Sequence, residues 1–276
     1  MSQPWMSEKI DKIAAVVTGS PVPTLSWETL VIIDMHMHID DVPALGWKMS
    51  AAQCIESMDE AGVDVAAVMT IADLPGINPE ALELIAEACG QYPGRLYGFI
   101  RLHPWYREQA LDLLDIAVNE SGFRGLKLHP VSSLAHPSGA DTIALIRRAG
   151  ELGIPTLFHC GDEPMTTPLS IEPAAAACPD SIVILGHMGG YFHVDEAIEV
   201  AERHSNIVLE TSAMPYPAKI LEAVERIGAA RVIFGSDGPL SSPLLERDKV
   251  VIAGLTPEDT ARVLGENAAL LLGVSA

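Results

Sequence analysis

Two histidines one residue apart open the chemistry of this chain, in the run Asp34-Met35-His36-Met37-His38. In an extended segment alternate side chains share a face, so His36 and His38 point one way and Met35 and Met37 are expected to face the other. Two imidazoles side by side can grip one ion. A neutral imidazole binds zinc at about 2.0–2.1 Å, and three protein ligands plus water is the usual catalytic arrangement. Later apolar runs end in polar residues of the same kind: Arg101-Leu102-His103, Lys127-Leu128-His129, His159, His187 and Asp237. Six of the nine histidines finish such a run, whereas His136, His193 and His204 fall in loop-like or helix-like stretches and read as surface residues. Nitrogens from His36, His38 and His159 with an oxygen from Asp237 form a mixed set. Such a set suits zinc, manganese or iron better than a soft, thiolate-seeking ion.

Each residue alone has a plainer reading. A His-x-His pair can sit at any strand end that faces solvent. His159 can be a satisfied core histidine, and Asp237, within Gly235-Ser236-Asp237-Gly238-Pro239, can be a turn residue or helix cap. His103 and His129 both precede a proline, which suits the end of a strand or contact with substrate. Lys127 and Arg101 are harder to explain as structure, because long cations are seldom fully buried without a partner. Their inward placement on apolar runs therefore marks them as candidate functional residues.

These residues must be positioned by strands, and eight apolar, β-branched runs supply them: 30–36, 63–71, 95–102, 123–129, 154–159, 181–187, 206–211 and 231–236. Between them lie segments of helical period, including 51–61, 79–91, 108–119, 141–152, 194–204 and 218–227. Gly62, Gly122, Gly153 and Gly228 follow helix ends, where a left-handed cap is wanted. Eight such alternations predict a parallel sheet closed into a (β/α)8 TIM barrel over residues 30–276, whose active sites lie at the C-terminal ends of the strands. An open doubly wound sheet would show fewer strands and a glycine-rich first turn. Residues 1–29 stand apart as a helical extension and linker, expected to cover the barrel floor or a subunit contact. After the last strand, 244–253, 257–264 and 266–272 read as helical, with Thr256 as an N-cap.

A net charge of −20 repels nucleic acid and anionic membranes. The four cysteines show no C-x-x-C pair, so neither a disulfide framework nor a thiolate metal site is expected. Glu8, Lys9, Asp11 and Lys12 break any signal-like apolar run, and no stretch of 18 apolar residues appears. A cytoplasmic protein with a small-molecule substrate is the expectation, and self-association is compatible with it.

The motifs DMHMH at 34–38, GLKLHP at 125–130, FHCG at 158–161, LGHMGG at 185–190 and GSDGP at 235–239 resemble the amidohydrolase superfamily. The branch is the amidohydrolase-related one, TIM-barrel metal-dependent hydrolases and decarboxylases, and the resemblance spans about residues 31–272. It implies that His36, His38, His159 and Asp237 bind a divalent metal, zinc first. It also implies that His187 is catalytic or serves a second metal. Two-metal members bridge their ions with a carboxylated lysine, and Lys127 occupies a comparable place; otherwise Lys127, Arg101 and His129 hold substrate. The resulting expectation is hydrolysis of a small amide, lactone or related carbonyl by metal-activated water, with Asp237 moving the proton and His187 polarising the carbonyl. The alternative is nonoxidative decarboxylation of an aromatic or enoic carboxylate. A third reading is a non-enzymatic barrel that binds a carboxylate or scaffolds an assembly. Specificity would reside in the loops 40–48, 131–140, 161–168 and 188–193.

Overall fold

The computed structural model describes residues 30–43, 46–72 and 79–275, so the expected extension over 1–29 lies outside the described residues. Eight parallel strands form one sheet in strict chain order. They are β1 (Ile33–His38), β2 (Val65–Met69), β3 (Leu96–Arg101), β4 (Gly125–Leu128), β5 (Thr156–His159), β6 (Val183–Gly186), β7 (Ile207–Glu210) and β8 (Val232–Ile233). The segment after β8 closes the ring onto β1. Met35 N–H donates to the Phe234 carbonyl at 3.0 Å, Asp237 N–H to the His36 carbonyl at 2.8 Å, and His38 N–H to the Gly238 carbonyl at 2.7 Å. The predicted (β/α)8 barrel is therefore the observed fold.

The strands carry two apolar layers, as a barrel requires. An outer layer packs the strands against the helices and includes Met37, Val68, Ile100, Leu126, Phe158 and Leu209. An inner layer fills the lower barrel with Ile33, Met35, Ala67, Phe99, Leu157, Ile184, Val208 and Ile233. Gly125 makes room for it, since a Cβ there would lie 2.3 Å from Phe99 Cζ. Met35 was expected to face the helices, and the structure corrects this. The pairing of β1 with β2 slips by one residue between Asp34 and Met37, a β-bulge that breaks the alternation. Met35 stays in the inner layer below the slip, while His36 and His38 still turn inward above it.

Helices α1 (Ala51–Ala61), α2 (Pro79–Gln91) and α3 (Glu108–Asn119) match their predicted spans, and Gly62 ends α1 at φ 69°, ψ 31°. Then follow α4 (Pro130–Ser133), α5 (Ala140–Glu151), α6 (Pro168–Ala177), α7 (Val194–Arg203), α8 (Pro217–Ile227) and α9 (Pro243–Val251). Helix α6 escapes periodic reading because its sequence, PLSIEPAAAA, is apolar or small almost all round. A small antiparallel hairpin, Asp40–Val42 with Trp47–Met49, occupies part of the stretch read as loop.

The chain then runs through α10 (Pro257–Ala261), a π-helical turn (Arg262–Glu266) and α11 (Asn267–Leu272). Thr256 caps α10 as predicted, its side chain accepting from Asp259 N–H at 3.1 Å. The wider turn presents the Val263 carbonyl to Phe234 N–H at 2.8 Å, tying this segment to the end of β8. Ala268, Ala269 and Leu272 of α11 join the inner apolar layer at the start of the strands. The barrel floor is thus closed by residues that follow the last strand.

Candidate metal centre

Above the inner layer the barrel lining turns polar. His36 and His38 from β1, Arg101 from β3, Lys127 from β4, His187 after β6 and Glu210 from β7 are all buried. His36 Nε2 and His38 Nε2 lie 3.5 and 3.0 Å from Asp237 Oδ1, so these three predicted ligands converge. A second convergent group is His36, His187 and Glu210. His187 (φ 63°), Met188 (φ 47°) and Asp237 (φ 59°) hold left-handed backbone conformations. For such residues these cost about 1–3 kcal/mol each and tend to gather at functional sites.

The hydrogen-bond partners test whether a cation fits. His38 Nδ1 faces the Thr70 carbonyl at 3.3 Å and its Nε2 faces Asp237. His36 Nδ1 faces Glu210 Oε2 at 3.0 Å while its Nε2 faces Asp237. Each ring therefore sits between two acceptors. A neutral ring has one N–H, and burial, first of all, pulls both rings below their ordinary pKa. With the protons on Nδ1, two lone pairs and a carboxylate oxygen converge on one point. That donor set fits a divalent metal ion, with outer partners that fix the ring tautomers. Burial alone would raise the Asp237 carboxyl, but when the His38 proton sits on Nε2 instead, its hydrogen bond to Asp237, with the adjacent His36 and His187 rings, holds the carboxyl well below the usual carboxylate range.

Lys127 points at the same place, its Nζ 2.6 Å from His36 Nε2. Arg101 donates to the Thr70 carbonyl at 3.3 Å and to Ser132 Oγ at 2.8 Å, so its guanidinium lies beside the ligand pair. His159 stands apart from the convergent set: Nδ1 contacts His187 Nε2 at 3.1 Å and Nε2 contacts Glu163 at 3.2 Å. His129 stacks on it with ring centres 4.0 Å apart and planes 5° from parallel. His129 Nδ1 accepts from Ser132 N–H at 3.3 Å, and burial holds the ring neutral, which leaves its proton on Nε2. His103 packs edge-on against Tyr106 in the following turn.

Sequence reasoning missed Glu210. Its Oε2 accepts from His36 Nδ1, from Ser212 Oγ at 2.9 Å and from His187 N–H at 3.2 Å, and its Oε1 accepts from Ser212 N–H at 2.5 Å. The signal was present, because Glu210 is a lone carboxylate at the end of an apolar run, Ile207-Val208-Leu209. Two rim loops are also tied together. Asp162, after β5, accepts from Tyr191 N–H and Phe192 N–H, after β6, at 3.0 and 2.9 Å.

An eight-stranded barrel with buried histidines and a carboxylate at the C-terminal ends of its strands defines a TIM-barrel metal enzyme. More particularly, the Amidohydro_2 amidohydrolase model matches residues 33–274, and the chain belongs to that family. No curated protein matches it. Among solved structures, an uncharacterised TIM-barrel protein from Bordetella bronchiseptica aligns with TM-score 0.74 and 20% identity, over 88% of this chain and 99% of that one. The 5-carboxyvanillate decarboxylase of Sphingomonas paucimobilis aligns with TM-score 0.69 and 16% identity, over 90% and 100%. A dihydroxybenzoic acid decarboxylase from Polaromonas, with bound manganese and 2-nitroresorcinol, gives 0.68 and 18%, over 89% and 97%. Identities this low speak for the shared fold alone. Among the described residues no helix is long and apolar enough to cross a membrane.

Proposed function

We propose that this chain is a metal-dependent hydrolase of a small amide, lactone or related carbonyl compound that carries a carboxylate. The observation that carries this reading is the placement of Asp237: its Oδ1 lies 3.5 and 3.0 Å from His36 and His38 Nε2, where one carboxylate can meet the ion and also take a proton from water beside it. His36, His38 and Asp237 hold the ion, and His159 stands next in line to complete the set. Zinc is the first choice of metal for this nitrogen and oxygen set, with manganese and iron compatible. A bound divalent ion supplies Lewis acidity that makes hydroxide available at neutral pH.

The protein's own groups do the rest. Asp237 takes the proton of the attacking water and returns it to the leaving group. Arg101 and Lys127 attract and orient the substrate carboxylate, and His129 offers a neutral Nε2–H donor at the mouth. His187 donates through Nδ1 to Ser212, so its Nε2 carries a lone pair and acts as a proton acceptor or ligand. The polarising role expected for it would need the protonated ring. Lys127 keeps a simple amine in this reading; a carboxylated, bridging Lys127 would bring the metal content to two per chain.

Decarboxylation is the second reading, favoured by the activities named for two of the three neighbours. There the same cations hold the carboxylate that leaves, and a protonated group must deliver a proton to carbon. Turnover in ¹⁸O-labelled water separates the two, using lactones, amides and aryl carboxylates as candidates. One labelled oxygen in the product, with no carbon dioxide, is the expected result. Carbon dioxide release with solvent hydrogen on the product carbon would replace hydrolysis with decarboxylation. Metal-loaded protein that turns over neither class would favour the non-enzymatic barrel.

A further inference from the structure

We propose that Glu210 is a positioning residue that sets the tautomers of two histidines on different strands at once, directly for His36 and through Ser212 for His187. The inference rests on the reading of His36 as a metal ligand. Carboxylate oxygens only accept hydrogen bonds. His36 Nδ1, 3.0 Å from Glu210 Oε2, must therefore carry its proton there, which leaves Nε2 as a lone pair beside His38 and Asp237. The Ser212 hydroxyl has one proton and gives it to Glu210 Oε2 at 2.9 Å. It can then only accept from His187 Nδ1, at 2.8 Å, which leaves His187 Nε2 as a lone pair as well. One carboxylate thus dictates which nitrogen of each ring carries the proton and which keeps its lone pair.

The surroundings are shaped for this carboxylate. Glu210 is fully buried at the end of β7, and two glycines, Gly186 and Gly235, lie beside its carboxylate. A Cβ at Gly235 would lie 2.3 Å from Glu210 Oε1, and one at Gly186 would lie 3.4 Å from Oε2. Ser212 N–H and His187 N–H fill further acceptor positions, so the side chain has little freedom to turn. The glycines supply room and the backbone donors supply orientation.

The test compares Glu210→Leu and Ser212→Ala in the full chain, with thermal melts to establish that both fold. Leucine fills the space but removes both acceptor oxygens, and with them the Oε2 that His36 Nδ1 and Ser212 Oγ share, so its effect should reach both rings. Affinity for zinc, read by competition with a chromophoric chelator, should fall about 10–100-fold in E210L, the range for losing a partner of a ligand histidine. In S212A it should stay within about twofold of wild type, because the His36 contact is intact. Ring ¹⁵N shifts should show His36 and His187 both losing the single Nδ1–H form in E210L, and only His187 losing it in S212A. A loss of stability alone would not move these shifts. If the wild type binds no zinc yet the shifts follow this pattern, the metal reading fails and the positioning role stands. Folded E210L with wild-type tautomers at both rings would overturn the proposal, as would S212A disturbing His36 as strongly as His187.

Discussion

At the residue scale, Asp237 has two jobs that one substitution separates. Asparagine keeps the shape and one coordinating oxygen but cannot accept a proton. Asp237→Asn should hold most of its metal through His36 and His38, while turnover falls about 10²–10⁴-fold, the usual worth of general acid–base assistance. The Michaelis constant should change far less. Steady-state kinetics and metal analysis on one preparation check this, and near-normal turnover with metal retained would remove Asp237 from the mechanism. The site was largely legible in the sequence, because polar residues at the ends of apolar runs are costly unless they do something. His36, His38, Lys127, His187 and Asp237 all stood out that way and all meet in the structure. His159 did too, but which neighbour an imidazole faces depends on side-chain torsions that no strand pattern encodes. Glu210 was legible by the same criterion, yet histidines drew the reading towards themselves.

At the element scale, the π-helical turn is where the C-terminal segment locks onto the barrel. Gly265 lies so close to β1 that an added Cβ would fall 1.9 Å from the Val31 carbonyl oxygen. Backbone cannot give way as a flexible side chain can. Gly265→Ala should therefore destabilise by at least the ~1–3 kcal/mol typical of overpacking. Chemical denaturation measures this, and an unchanged midpoint would mean that α10 and α11 are not held against the strand. Most elements were readable because period and punctuation agree locally: α1, α2 and α3 occupy their predicted spans. The features that escaped are those without a local signal. Helix α6 has no polar stripe, and the slip in β1 that turns Met35 inward is a property of pairing with β2. The closure of the floor by α11 likewise depends on residues more than 200 positions apart, such as Ile33 and Ala268, sharing one apolar cluster.

At the scale of the whole molecule, the buried histidine cluster makes stability depend on pH. His36, His38 and His187 are all held below their ordinary values, with burial the largest cause. The unfolded chain therefore binds more protons than the folded one below about pH 6.5. The contribution of these rings to stability is complete above that pH and is lost progressively as pH falls towards their folded values. Two effects act in the opposite sense: Asp34, whose carboxyl burial pushes up to about 8, so that the folded chain takes its proton first, and relief of the −20 net charge, which salt screens. In about 0.5 M salt, where such screening is strong, metal-depleted protein should melt several degrees lower at pH 5 than at pH 7.5. Metal-loaded protein should drop further, since protonated ligands release the ion. A flat melting profile across that range would show that the histidines do not outweigh Asp34 in setting the pH dependence. The tie between the two rim loops bears on redesign of the pocket. Because Asp162 satisfies the amides of Tyr191 and Phe192, residues 161–167 and 187–193 form a single heritable cassette. Transplanting one loop from a relative without the other would strand two amide donors, whereas exchanging both together would carry their mutual fit intact.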